Sequence, residues 1–219
     1  MRAKGPLRVV KVLWHATLDA SWDFFHGTET LTRIAPQNLE TDSENKSQAT
    51  YYGATRARPL VRLFHQLGPS REGGFVDFGS GKGRVILIAA EYGFKKVVGI
   101  DFSEPLCHRA RKNLESYRRR RKLESEISIV HSDVVRYKIQ ADETIFFLYD
   151  PFSAEVLAKV LENVRRSLIA HPRPIQVIYN SPRYHDVMER CGVFTDNQHY
   201  VIGGNEFCVY GNKSGHVPT

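Results

Sequence analysis

Cysteine is scarce in this chain. There are three, Cys107, Cys191 and Cys208, odd in number, far apart and in no CxxC pair. That spacing argues against a disulfide framework or a thiolate zinc site and suits a reducing cytoplasm, which is the expected location. The nine histidines form no HxH or HxxxH pair, so no metal is expected. Long apolar runs are also missing. The longest in the middle of the chain, residues 85–90, falls far short of the ~20 residues that span a bilayer. The N-terminus has the cations of a secretory leader in Arg2, Lys4, Arg8 and Lys11. Lys11 interrupts its apolar stretch, however, and Trp14-His15 stands where small residues should mark a cleavage site. Repeats and low-complexity tracts are absent, which removes solenoids and disordered tails.

What is present is a soluble globular composition, 42% hydrophobic and 25% charged, over 219 residues. This suits one domain with a full core plus an extension. The net charge of +7 is not spread over the chain. Residues 105–123 hold eight Lys and Arg against the single acid Glu115, so this one segment accounts for the whole excess.

From Phe75 onward, short apolar runs alternate with helical periodicity. Strands are expected at 74–78, 96–101, 126–131, 144–149 and 174–179. Helices are expected at 84–92, from Pro105, and at 154–169. Pro105 suits a first helical turn, and Leu106, Ala110, Leu114 and Tyr117 recur on one face behind it. Such β/α alternation gives a mostly parallel sheet covered on both faces. The rhythm breaks at the end, where 198–202, a Gly203-Gly204-Asn205 turn and 206–210 read as a hairpin. Residues 1–70 differ in character. A helix is expected at 60–67 and a polar loop at 38–48, the whole forming an N-terminal extension that packs on the ligand site of a 71–212 domain. Residues 213–219 form a tail.

Between the first strand and helix lies Asp77-Phe78-Gly79-Ser80-Gly81-Lys82-Gly83. Its glycines permit a tight bend and close approach to a ligand, and a helix N-terminus follows that favours a carboxylate. A dinucleotide fingerprint would place its third glycine where Arg84 stands, and Asp77 would repel a pyrophosphate. The same Asp77 would welcome an ammonium. S-adenosylmethionine carries both groups on its methionine end. Asp101, 24 residues on, ends the second strand and can accept two ribose hydroxyls; Phe102 can lie against the adenine. Asp133, followed by Val134, is placed to accept the adenine amine, and Asp150 ends the fourth strand. Four acids thus reach the carboxyl edge of an open α/β sheet, where ligands bind.

These residues resemble the class I S-adenosylmethionine-dependent methyltransferases over about residues 51–210. More narrowly, they resemble a group of bacterial methyltransferases with four shared motifs. Here these read Gly27-Thr28-Glu29-Thr30, Tyr52-Gly53-Ala54-Thr55, Asp77 to Arg84, and Asp150-Pro151-Phe152. The resemblance implies a Rossmann-like seven-stranded sheet in the order 3-2-1-4-5-7-6, its last strand antiparallel. It also implies that Tyr52 and Thr55 line the methionine end of the cofactor, although Ala54 replaces the usual proline. Asp77, Gly79, Ser80, Gly81, Gly83, Asp101, Phe102, Asp133, Val134 and Asp150 complete the expected cofactor set.

Asp150-Pro151-Phe152 is similar in part to the Asp/Asn-Pro-Pro-aromatic motif of amino-methyltransferases, in which a polar group and a ring hold an amine. Asp150, Pro151, Phe152 and Asn180 are therefore the candidate catalytic residues, with Tyr179 and Arg183 beside them. In-line displacement needs positioning more than acid–base chemistry. A lysine acceptor would first lose a proton, at roughly 4–5 kcal/mol at pH 7, which a nearby carboxylate would increase. A weakly basic nitrogen, charged only in the transition state, is the expected acceptor. Whether a protein, nucleic acid or small molecule carries it is left open, as are an aminopropyl-type transfer and silent cofactor binding. The basic segment 105–123 is expected to run away from the active edge, where its cations complement the helix dipole, bind RNA in a salt-sensitive way or meet an acidic partner. A monomer or a homodimer is expected, without membrane association.

Overall fold

In the computed structural model, residues 20–31, 53–150 and 152–212 are described. Residues 20–26 are helical (α1). There follow α2 (Ala57–Leu67), β1 (Gly74–Phe78), α3 (Arg84–Tyr92), β2 (Lys96–Asp101), α4 (Glu104–Arg118), β3 (Glu126–His131), a short 3-10 turn at Val134–Arg136, β4 (Glu143–Tyr149), α5 (Ala154–Ala170), β5 (Gln176–Asn180), α6 (His185–Arg190), β6 (Asp196–Ile202) and β7 (Asn205–Gly211). The strands form one seven-stranded sheet in the order β3-β2-β1-β4-β5-β7-β6. Strands β1 to β5 are parallel, while β7 runs antiparallel to β5 and β6. This is the order that the resemblance implies.

The central strands read as unbroken apolar runs because both faces are covered. All five residues of β1 are buried. Phe75, Val97, Ile145, Phe147 and Ile178 face α2 and α3. Val76, Phe78, Phe146, Leu148 and Tyr179 face α5 and α6. Parallel strands sandwiched in this way have no polar face to show in the sequence.

Several boundaries differ from the sequence reading for local reasons. Helix α2 begins at Ala57 rather than residue 60, since Ala57 and Pro59 are buried with it. Strand β5 starts two residues later, after Pro174. The last turn has two residues, Gly203 and Gly204, with φ of 58° and 80°. That is the left-handed pair a tight hairpin demands, and it leaves Asn205 paired with Ile202 in β7. Helix α6 was not legible, because in its six residues only Met188 is buried. No helix among the described residues is long and apolar enough to cross a membrane. The expected loop at 38–48 and the tail 213–219 lie outside the described residues.

Candidate functional site

The carboxyl ends of β1, β2, β4 and β5 share one edge of the sheet, and the glycine bend lies across it. The bend is held from below. Gly79 and Ser80 N–H both donate to the Ile100 carbonyl at 2.9 Å, Gly81 N–H donates to Asp101 Oδ2 at 2.8 Å, and Gly83 N–H to the Ser80 carbonyl at 2.9 Å. These four amides are spent inside the fold, so they anchor the bend from below. Glycine is required at position 83 for two reasons. Its φ is 85°, and a Cβ there would stand 3.2 Å from that of Ala110 on α4. Below the bend, a Cβ at Gly99 would stand 2.1 Å from the Ile86 side chain, so α3 reaches β2 only over a bare backbone.

Two carboxylates lie beneath this bend. Asp77 and Asp101 are each 3% exposed. Burial raises Asp77 well above the usual carboxylate range, and the charge of Asp101 adds to the rise. Burial likewise lifts Asp101 to about 6, against the pull of its hydrogen bonds from the Ser103 and Gly81 amides. Among the described residues, no Lys or Arg pairs with either group, and the nearby His131 only partly opposes the rise at Asp101. A pair of buried, mutually repelling acids favours a cationic ligand, which restores the ionised form of both. The donor chemistry therefore fits S-adenosylmethionine: an ammonium for Asp77, and ribose hydroxyls for an Asp101 already oriented by two backbone amides.

The other expected residues have mixed placements. Asp133 accepts from the Val135 amide at 3.0 Å and caps the 3-10 turn, in which Val134 is buried. Phe102 is half-buried beside Asp101. Thr55 is buried. Tyr52 and Pro151 lie outside the described residues. Asp150 has a φ of 39° and Ser181 a φ of 55°, so two non-glycine residues take left-handed backbone at the adjoining ends of β4 and β5. Strain of this kind persists where neighbours impose it. Here Arg183 binds Asp150 Oδ2 at 2.7 Å and the Tyr179 hydroxyl donates to Oδ1 at 3.4 Å. Burial raises the Asp150 carboxyl, and Arg183 opposes the rise. Asn180 is fully buried with neither side-chain amide atom hydrogen-bonded. Phe152 is 8% exposed and packs in the core face shared with α5, so little of its ring can be offered to a substrate.

The sequence reading passed over an arginine latch. Arg84, the first residue of α3, is 2% exposed. Its Nε donates to Thr30 Oγ1 at 2.6 Å, its Nη1 to the Thr55 carbonyl at 3.5 Å, and its Nη2 lies 3.3 Å from Asp23 Oδ1. The guanidinium also lies 4.8 Å from the Trp22 ring centre. Asp23 in turn accepts from the Thr28 hydroxyl, the Thr30 amide and the Thr30 hydroxyl at 2.7–2.8 Å. Glu29 pairs with Lys82 at 3.4 Å and Arg109 at 2.9 Å. Asn113 grips both the Glu29 backbone and the Lys82 carbonyl. The Gly-Thr-Glu-Thr motif, Thr55 and the Lys82-Gly83-Arg84 end of the bend thus form one network, buried at Thr30, Thr55, Lys82 and Arg84. A cation opening the apolar run 85–90 of α3 was the only local sign of it. Among the described residues, no group of three His, Cys, Asp or Glu side chains is arranged to hold a metal.

Comparison with known proteins agrees with this fold. A family model described as "Histone methylation protein DOT1" matches residues 32–142. No curated protein matches the sequence. Among solved structures, an RNA methyltransferase from Salinibacter ruber in complex with S-adenosyl-L-homocysteine is similar at 19% identity and a TM-score of 0.51. The alignment covers 74% of this chain and 94% of that one. The PH0226 protein of Pyrococcus horikoshii gives 18% and 0.56, covering 82% and 97%. The putative methyltransferase yhhF of Escherichia coli gives 18% and 0.53, covering 73% and 87%. At such identities the likeness establishes the fold.

Proposed function

The chain belongs to the family described as histone methylation protein DOT1, a family of S-adenosylmethionine-dependent methyltransferases, and from that premise we propose that it methylates a weakly basic nitrogen at the edge lined by Asp150, Asn180 and the rim of Phe152. The observation that carries this reading is the buried Asp77–Asp101 pair under the glycine bend, a cradle for a cationic nucleoside. When bound, S-adenosylmethionine supplies a methyl group on a sulfonium, open to in-line attack. Asp77 holds the ammonium of its amino-acid end and Asp101 the ribose. Asp133, Val134 and Phe102 would hold the adenine, and Thr55, with Tyr52 by the resemblance, would line the methionine end.

At the acceptor side, Arg183 and Tyr179 each take one oxygen of Asp150 and fix its carboxylate in a single orientation. The Asp150 carboxylate can accept from an incoming N–H, and the Asn180 amide lies at the adjoining strand end, buried and without a hydrogen bond. A charge that develops on nitrogen during transfer is then met by a preorganised carboxylate. The family description names histones, so a protein nitrogen is the first acceptor class to try. Tritiated cofactor incubated with histones and with fractionated cell extract should label one fraction. Asp150→Asn, which tolerates the left-handed backbone, should cut that labelling at least tenfold, about 1.4 kcal/mol of barrier. Calorimetric affinity for S-adenosylhomocysteine should be unchanged. Intact cofactor binding with no labelled fraction would leave a silent binder.

The raised carboxyls also set a pH dependence. Asp101 titrates near 6 in the folded protein and Asp77 is raised too, both above the unfolded range near 3.9. Between about pH 4 and 6 the folded state therefore binds more protons than the unfolded chain, and this share of stability falls as pH rises through 6. The ligand needs the ionised forms, so its affinity runs the opposite way. Its Kd should weaken by up to about tenfold per unit below pH 6. Titrations of the cofactor between pH 5 and 7.5 test this, and a flat Kd would remove Asp101 from the contact.

A further inference from the structure

The cations of the segment 105–123 divide into two groups. Arg109 pairs with Glu29 and Arg111 with Glu104 along the shaft of α4. At its C-terminal end Arg118, Arg119, Arg120, Arg121 and Lys122 are all exposed. Helix α1 crosses this end. The His26 ring stacks on Tyr117 at 5.0 Å with an interplanar angle of 3°, and Trp22 lies 6.3 Å from the same ring. With positions 22 and 26 turned inward one helical turn apart, positions 24 and 25 face outward. Phe24 and Phe25 are accordingly 77% and 66% exposed, edge to face at 5.7 Å. Arg120 joins the two elements. Its Nη1 donates to the Phe24 carbonyl at 3.0 Å, and its guanidinium fills the space where a Cβ at Gly27 would stand. The rings and the cations are therefore one fixed surface.

Burial does not explain two adjacent bare phenyl rings, and the helix dipole does not explain five successive cations at one helix end, since its effect fades within the last turn. We propose that this surface docks single-stranded nucleic acid, with phosphates on Arg118, Arg119 and Arg121 and unstacked bases on Phe24 and Phe25. Exposed aromatic rings beside a cationic strip are the arrangement that single strands use, because every base has a face to stack. A duplex keeps those faces stacked and leaves the rings without a partner. Four of the five cations are arginines. Guanidinium forks onto phosphate and also stacks on bases, which an ammonium cannot do. The surface lies about 20 Å from the carboxyl edge of the sheet, the length of the 15-residue α4 at 1.5 Å per residue. It tethers a strand away from the methyl-transfer edge, and it stands whether or not the cofactor reading does.

Fluorescence anisotropy on the full chain tests this with a labelled 12-nucleotide single-stranded RNA and DNA, the matching duplex, and vesicles of neutral lipid with or without anionic lipid. The single strands should bind with a salt slope near −2 to −3, as expected for about three or four neutralised phosphates. The duplex should bind at least tenfold more weakly. Phe24→Ala/Phe25→Ala should lower single-strand affinity roughly tenfold or more and leave the slope unchanged. Arg118→Gln/Arg119→Gln/Arg121→Gln should flatten the slope by about two. Thermal unfolding followed by circular dichroism should give the same midpoint in all three proteins, which shows that the variants are folded. Equal affinity for duplex and single strand, indifference to the phenylalanines, or binding to anionic vesicles alone would each overturn the proposal.

Discussion

Replacing Arg84 with methionine is expected to lower the stability of the chain by roughly 3–5 kcal/mol, the cost of leaving a buried carboxylate without its counter-charge. The carboxylate is Asp23, 9% exposed, which would keep only neutral donors, those of Thr28, Thr30 and the Leu31 amide. For a chain of this size that corresponds to a melting temperature lower by about 6–20 °C. The loss should not be a simple packing defect. Methionine fills most of the arginine volume, whereas the guanidinium reaches Thr30, the Thr55 carbonyl and Asp23 together. Arg84→Lys should rescue little, because an ammonium cannot span three partners in a plane. Asp23→Asn in the methionine background should recover part of the stability. Urea unfolding of these proteins and of Asp23→Asn alone closes the cycle and gives the coupling, and an Arg84→Met midpoint equal to that of the parent would show that the latch contributes nothing.

Asp101→Ala should weaken cofactor binding by about two to four orders of magnitude. Two ribose hydroxyls on a carboxylate contribute roughly 1.5–3 kcal/mol each. The same change frees the Gly81 and Ser103 amides that the carboxylate now accepts from, so the glycine bend loses its anchor to β2 as well. Asp101→Asn separates the two effects. Its carbonyl can keep one amide, so the bend should stay in place while affinity still falls by at least tenfold. Calorimetry gives the affinity, and amide exchange at Gly81 reports the anchor. Unaltered affinity in both variants would mean that the ribose lies elsewhere.

Much of this site was legible before any coordinates, for reasons that lie in single residues. Asp77 and Asp101 each close an apolar run, and an acid at that place in a parallel strand must reach the carboxyl edge. The Gly203-Gly204 turn was legible because only a left-handed pair closes so tight a hairpin. Other assignments needed context. Asp133 reads equally well as an adenine acceptor or a turn cap, and the structure gives it at least the second role. Phe152 reads as a substrate ring, yet its burial depends on where α5 lies. Strained backbone at Asp150 and Ser181 has no signature in residue type.

Alternation of apolar runs with helical periodicity, punctuated by glycine and ended by acids, was enough to determine a doubly covered parallel sheet and to bring Asp77 and Asp101 to one edge of it. Local spacing carries that information, because strand and helix periods repeat over a few residues. What needed the folded chain was every pairing across distance: Arg84 with Asp23 and Thr55, Asp150 with Arg183, and the phenylalanines of α1 beside the arginines of α4. Desolvation and charge choose those partners once the sheet has brought them together, and no period in the sequence encodes that choice.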